Sequence, residues 1–306
     1  MYFPYLRGKQ FELEALLEVN PQVYQNTIPI VEPVTDARPV RYTRISNLNI
    51  PFIFVTNPFY PVNDRLTPAT IQNLIDNELA GNAALRLGFL LDARYNIAAL
   101  NQFLANNAGK AKSLIFRFNP LPADLVAILA AINATPVEFL IFDDRRTNAN
   151  TRNAFNAHGG RILLTDGFQA QDANANYPAM SAFDSNFNTW NANGWTGIGD
   201  YATVGDNFRD GGGPAYVISL HVTVQDGGGL VVHHFSSTVN ANIMGRAPQK
   251  FAQANSFLVA SPVTIPLNST GLTLFRNWHA THHNPQLGAA KKASIIHHIE
   301  LMSSIV

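Results

Sequence analysis

Cysteine is absent from the 306 residues, which excludes disulfides, thiolate nucleophiles and cysteine-ligated zinc or iron–sulfur centres. Any metal would have to be held by His, Asp and Glu. Charge is scarce and balanced: Lys and Arg number 21, Asp and Glu also 21, and together they make up only 14% of the chain. No global field therefore draws the protein onto nucleic acid or an anionic membrane. The longest apolar stretch in a helical pattern, residues 125–132, is too short to cross a bilayer. The opening residues lack the charged start and apolar core of a secretory signal, so a cytoplasmic location is expected. No repeat with a period of about 20 to 50 residues is evident, which argues against a solenoid.

What the sequence does contain is a recurring unit, a short apolar run that stops at a charged or amide residue and is followed by a polar helical stretch. The runs cover residues 28–34, 52–56, 87–92, 113–118, 138–143, 161–165, 196–200 and 215–222. Parallel strands need crossover helices, and alternation of this kind predicts a (β/α) barrel, TIM-barrel-like, in a single domain spanning residues 1–306. In such a barrel the polar endings Glu32, Asn57, Asp92, Arg117, Asp143, Asp166 and Asp200 collect on one rim, where barrels of this class carry their working residues.

Helices are predicted over residues 10–19, over 67–81 with Thr67-Pro68 as cap and first turn, and over 96–106, 122–132 and 247–260. A C-terminal helical segment covers 270–306, broken near Asn284-Pro285. Residues 166–195 form a long polar excursion over the rim, with aromatics at Phe168, Tyr177, Phe183, Phe187 and Trp190. Asp226-Gly227-Gly228-Gly229 reads as the turn of a β-hairpin near 215–237. A hairpin is antiparallel, so an irregular barrel is expected rather than strict eightfold symmetry.

Grouped carboxylates either raise one another's pKa toward acid–base use or share a hard cation. Glu32, Asp143 and Asp200 are therefore candidate catalytic groups or ligands for Mg²⁺ or another divalent ion, and the bland alternative is pairing with arginines or helix capping. His221 and His234 lie on the two arms of the hairpin and are candidates for proton transfer or ligation. Lys9, Arg161 and Arg209 are candidate anion contacts, Arg209 beside the glycine-rich stretch 211–213. The histidines at 279, 282 and 283 lack the glutamate of a zinc-protease helix, and no Gly-x-Ser-x-Gly elbow is present.

Several segments together resemble a known group. Tyr2-Phe3-Pro4-Tyr5-Leu6-Arg7-Gly8-Lys9-Gln10-Phe11-Glu12 and Ile30-Val31-Glu32-Pro33-Val34 supply the opening of the pattern. Gly199-Asp200-Tyr201, Val204-Gly205-Asp206, Gly212-Gly213-Pro214-Ala215-Tyr216, His221 and His234-Phe235 continue it, and residues 288–302, with Lys291-Lys292 and His297-His298-Ile299-Glu300, close it. They resemble bacterial proteins related to the phage-associated "Beta protein" family. The resemblance implies a barrel-like fold and genes near mobile-element or phage-defence loci, and it carries over no activity.

Two functions are expected from these readings. One is a hydrolase-type rim site for a small anionic, phosphate-containing ligand, metal-assisted. The other is a non-catalytic partner-binding or immunity component, whose partner comes from a neighbouring gene.

Overall fold

The computed structural model describes residues 1–34, 39–60, 66–184, 186–207, 213 and 215–306. Eight parallel strands close into a barrel: β1 (Tyr2–Leu6), β2 (Ile30–Val31), β3 (Phe52–Val55), β4 (Leu85–Leu91), β5 (Lys112–Phe116), β6 (Phe139–Asp143), β7 (Arg161–Thr165) and β9 (Gly197–Asp200). The fold is TIM-barrel-like. Each strand is short and almost wholly buried because helices cover its outer face and side chains fill its inner one. Phe3, Ile30, Ile53, Ile115, Ile141 and Leu164 fill the interior. A separate outer layer, including Leu13, Ile45, Leu100, Ile128 and Ile299, joins strands to helices.

One strand lies outside the expected runs, and one expected run needs correction. The barrel is sealed by β1 pairing with β9, Phe3 opposite Gly199 and Pro4 opposite Asp200. Pro4 disguised it, since proline removes a ladder donor and is rare in central strands. At this seam a Cβ on Gly199 would stand 2.3 Å from the Phe3 carbonyl oxygen, so only glycine permits the approach. The run expected at 215–222 belongs instead to β10 (Ser219–Asp226), which pairs antiparallel with β11 (Gly229–Ser236) and not with the barrel. Gly227 and Gly228, both at positive φ (54° and 86°), make the tight two-residue turn that fixes this pairing.

The third strand of this accessory sheet, β8 (Met180–Asp184), comes from the excursion between β7 and β9, giving the order β10-β11-β8. Among the described residues, that interval holds two short 3₁₀ turns and no α-helix. Its aromatics turn inward: Phe168, Phe183 and Phe187 are buried, and Tyr177 and Trp190 are half-buried.

Helices α1 (Gln10–Glu18), α2 (Val40–Asn47), α3 (Pro68–Asn73), α4 (Ile97–Asn106), α5 (Pro122–Ala134) and α6 (Ala149–Asn153) follow successive strands. Their starts obey local chemistry. The Thr67 hydroxyl accepts from Thr70 N, and the Asn96 and Asn148 side chains accept from Ala98 N and Thr151 N. Beyond the hairpin come α7 (Ala247–Ala260), α8 (Thr270–Ala280) and α9 (Leu287–Ile305). One face of the accessory sheet, with Val222 and Val224, packs on Phe251, Leu272 and Phe275 of α7 and α8. The other faces α9, where Thr223 meets His298. Helix α9 also lies along α1 and reaches β1, closing the outer layer beside the seam. Among the described residues no helix is long and apolar enough to cross a membrane.

Candidate anion site at the barrel mouth

Strand parity decides which polar endings face the mouth. Successive side chains alternate between the barrel interior and the helix layer. Two residues beyond an interior residue therefore points inward again. Tyr5, Ile30, Leu90, Ile115, Ile141 and Leu164 are interior, so Arg7, Glu32, Asp92, Arg117, Asp143 and Asp166 stand above them at the mouth. Asp200 is out of phase. Its neighbour Tyr201 takes the interior position, and Asp200 turns outward to accept from Tyr2 Oη (2.8 Å) and Ala202 N (2.7 Å) and to meet His298 Nε2 (3.1 Å). The expected trio of Glu32, Asp143 and Asp200 is thus not one cluster. Among the described residues no group of three or more His, Asp or Glu is placed to hold an ion, so these three are not a shared ligand set for Mg²⁺.

The mouth residues are instead knitted by guanidinium groups. Arg7 bonds Glu32 through Nη1, and Glu32 also accepts from Tyr5 Oη (2.8 Å) and Phe59 N (2.6 Å). Asp143 accepts from Arg146 Nη1 at 2.5 Å and Tyr201 Oη at 3.2 Å. Asp92 is clasped by Arg94, with Nη2 to Oδ2 at 2.6 Å. All of these carboxylates are at least nine-tenths buried, where an unpaired charge is costly.

The centre of the network is Asp206, on the loop after β9. Its Oδ1 meets Arg7 Nη2 (2.6 Å) and Arg117 Nη2 (2.5 Å), and its Oδ2 meets Arg146 Nη2 (2.5 Å) and Arg145 Nη2 (3.2 Å). Four guanidinium groups therefore converge on one carboxylate that is 2% exposed. Burial alone would raise the Asp206 carboxyl, but Arg117, Arg7 and Arg146 outweigh it and hold the group below its ordinary value. Asp166 shows the opposite balance: burial raises it despite Arg145 at 2.6 Å, and its Oδ1 is buried without a hydrogen-bond partner. Burial likewise raises the Tyr5 and Tyr201 hydroxyls well above the ordinary value, so both remain protonated donors. Arg117 Nη1 and Arg7 Nε are buried donors with no acceptor. Arg117 also lines a cavity of about 220 Å³, together with Phe59, Tyr60, Asp92, Ala93 and Arg146.

The other expected site residues lie elsewhere. Arg161 begins β7, at the opposite end of the barrel from Asp166, with its guanidinium 4.5 Å from the Trp195 ring centroid. Lys9 is the N-cap residue of α1, its carbonyl accepting from Leu13 N. Arg209 lies outside the described residues. His221 and His234 do come together, directly opposite in the hairpin and Nδ1 to Nδ1 at 2.8 Å, but in the accessory sheet and away from the mouth. In sequence Arg145 and Arg146 read as the solvated start of a helix and Asp206 as part of a polar loop beside the rim, and neither reading points to the centre of the network. The available signal was parity for Arg7 and Arg117; none existed for Asp206, whose position depends on the path of a loop.

No family model matches the chain, and no curated protein or solved structure is significantly similar to it.

Proposed function

We propose that the barrel mouth recognises the anionic group of a small ligand, a phosphate or carboxylate, on Arg7, Arg117, Arg145 and Arg146. We also propose that hydrolysis of such a ligand is the reaction class of the site. The observation that carries this reading is the convergence of four guanidinium groups on the Asp206 carboxylate. Within the network, four arginines against Glu32, Asp143 and Asp166 leave one positive charge, which Asp206 cancels. A ligand oxyanion taking the place of that carboxylate keeps the balance and meets donors with forked geometry. The same cations stabilise negative charge developing on a phosphoryl or acyl oxygen, and Asp166, raised by burial, is the group suited to carry a proton. Phe168, Phe183 and Phe187 turn inward, so the aromatics of the excursion lend a partner-binding role little support.

The test uses Asp206→Asn. With inorganic phosphate as probe, the variant should melt lower than the parent without phosphate and be stabilised by it more than the parent is. Saturation at about 100 times Kd corresponds to about 2.7 kcal/mol. Arg146→Gln added to it should abolish the gain. Equal stabilisation by phosphate and by chloride of matched ionic strength would overturn the reading.

A further inference from the structure

A second cleft, sharing no wall residue with the cavity at the barrel mouth, lies between the accessory sheet, the start of α9, the loop after β9 and the segment carrying Phe168 and Tyr177. Its volume is about 310 Å³, and Phe168, Tyr177, Leu220, His221, Ala290 and Lys291 are among its walls. That size suits a molecule of roughly ten heavy atoms, at the small end of ligand sites.

The polar group in its wall is the end of a buried chain. Ser181 Oγ lies 2.9 Å from His234 Nε2, and His234 Nδ1 lies 2.8 Å from His221 Nδ1. Tyr177 stacks on His234 (4.6 Å between centroids, 27° between planes), and Phe168 meets His221 edge-on at 5.1 Å. Burial, with the neighbouring imidazole, pushes His221 down to about 3, and burial with His233 pushes His234 down to about 4. Both rings are therefore neutral at pH 7, and the bond between their Nδ1 atoms carries a single proton.

One proton between two Nδ1 atoms permits two arrangements. In the first, Ser181 donates to His234 Nε2, His234 Nδ1–H donates to His221 Nδ1, and His221 Nε2–H is a donor at the cleft. In the second, His221 Nδ1–H donates to His234 Nδ1, His234 Nε2–H donates to the Ser181 oxygen, and His221 Nε2 is an acceptor. The serine hydroxyl makes both possible, because it terminates the chain as donor or acceptor equally well. His221 thus presents to the cleft a contact of reversible polarity and no charge. Lys291, at the cleft edge, has Glu12 at 3.3 Å, so the walls offer an incoming molecule no uncompensated charge from that side.

We propose that this cleft binds an uncharged planar heterocycle of the nucleobase class, whose ring edge bonds Nε2 of His221 and whose face lies against the aromatic wall. Such rings carry both bare nitrogens and N–H groups on their edges, and a chain that reverses direction accepts either. Aromatic stacking supplies affinity without regard to ring identity.

The experiment is a titration of the full chain, labelled with ¹⁵N at histidine, with adenine and separately with uracil at millimolar concentration. Binding should move the His221 and His234 nitrogen resonances together, protonated and bare positions changing in concert, and His221→Phe should weaken binding at least tenfold. Ser181→Ala, which removes the terminator while leaving His221 in place, should weaken it as well. The proposal is overturned if neither compound moves those resonances, or if either variant binds as tightly as the parent.

Discussion

The barrel mouth and the accessory sheet both bury polar side chains, and they do so by opposite means. At the mouth, full charges are retained and compensated: Arg7, Arg117, Arg145 and Arg146 surround Asp206, with Glu32 and Asp143 alongside. In the sheet, charge is removed, and His221, His234 and Ser181 are joined as neutral groups. A compensated ion network resists acid down to the carboxylate range but fails when any one member is deleted. A neutral chain tolerates loss of a member better and fails when protons are added.

The largest expected effect tests the first half of that contrast. Arg117→Met leaves Asp206 and Asp143 with one fewer counter-charge in a buried setting, and should cost about 3–5 kcal/mol in urea unfolding. A loss below about 1 kcal/mol would show that water reaches the network and that its charges are not buried in the sense described.

Acidification tests the second half. The folded-state values of His221 (about 3), His234 (about 4) and His297 (about 4) lie below the ordinary 6.5, so the unfolded chain takes up protons first. Their contribution is complete above about pH 6.5 and is lost as pH falls from there toward 4. For His297, which burial depresses although its Nε2–H donates to the Thr223 carbonyl, the loss is roughly 3 kcal/mol at about 1.4 kcal/mol per pH unit. Asp166 and Asp184, raised by burial, act in the opposite direction and soften the slope. Asp206, held low, keeps its full contribution above the ordinary carboxylate range and loses it only as pH falls below that range, outside this interval. Chemical denaturation between pH 7 and pH 5 should therefore show falling stability in the parent and a shallower fall in His297→Phe; a parent curve flat over that interval would contradict the assignment.

The smallest effect separates a chain from a pair. Ser181→Ala strips His234 Nε2 of its partner and should cost about 1–2 kcal/mol by urea unfolding, well short of the arginine deletion. An equal cost for the two would erase the distinction between the regions.

The barrel was legible because β2 to β7 and β9 each end an apolar run at a polar residue, and because helix caps such as Thr67, Asn96 and Asn148 are local signals. The strand β1 was hidden by Pro4, and the apolar run after residue 215, counted among the barrel runs, is one arm of the expected hairpin near 215–237, since an apolar run alone does not distinguish a barrel strand from a hairpin strand. In the site, period-two counting from Ile30 and Ile141 places Glu32 and Asp143 inward, and the same counting, applied through Tyr201, turns Asp200 outward. Arg161 was assigned to the rim although it starts its strand. Asp206 and Ser181 were beyond reach, since each acquires its partners from segments many residues away: Arg117 for the one, His234 for the other.

The seam between β1 and β9 also sets an order for folding during synthesis. Residues 2–4 find their second neighbour only in residues 198–200, so β1 waits, with one edge unmatched, until nearly two hundred further residues have emerged. Helix α9, made later than both strands, then settles over the join and against α1. Until residue 200 is made, the nascent chain therefore carries an open sheet edge, the kind of template on which another strand can pair.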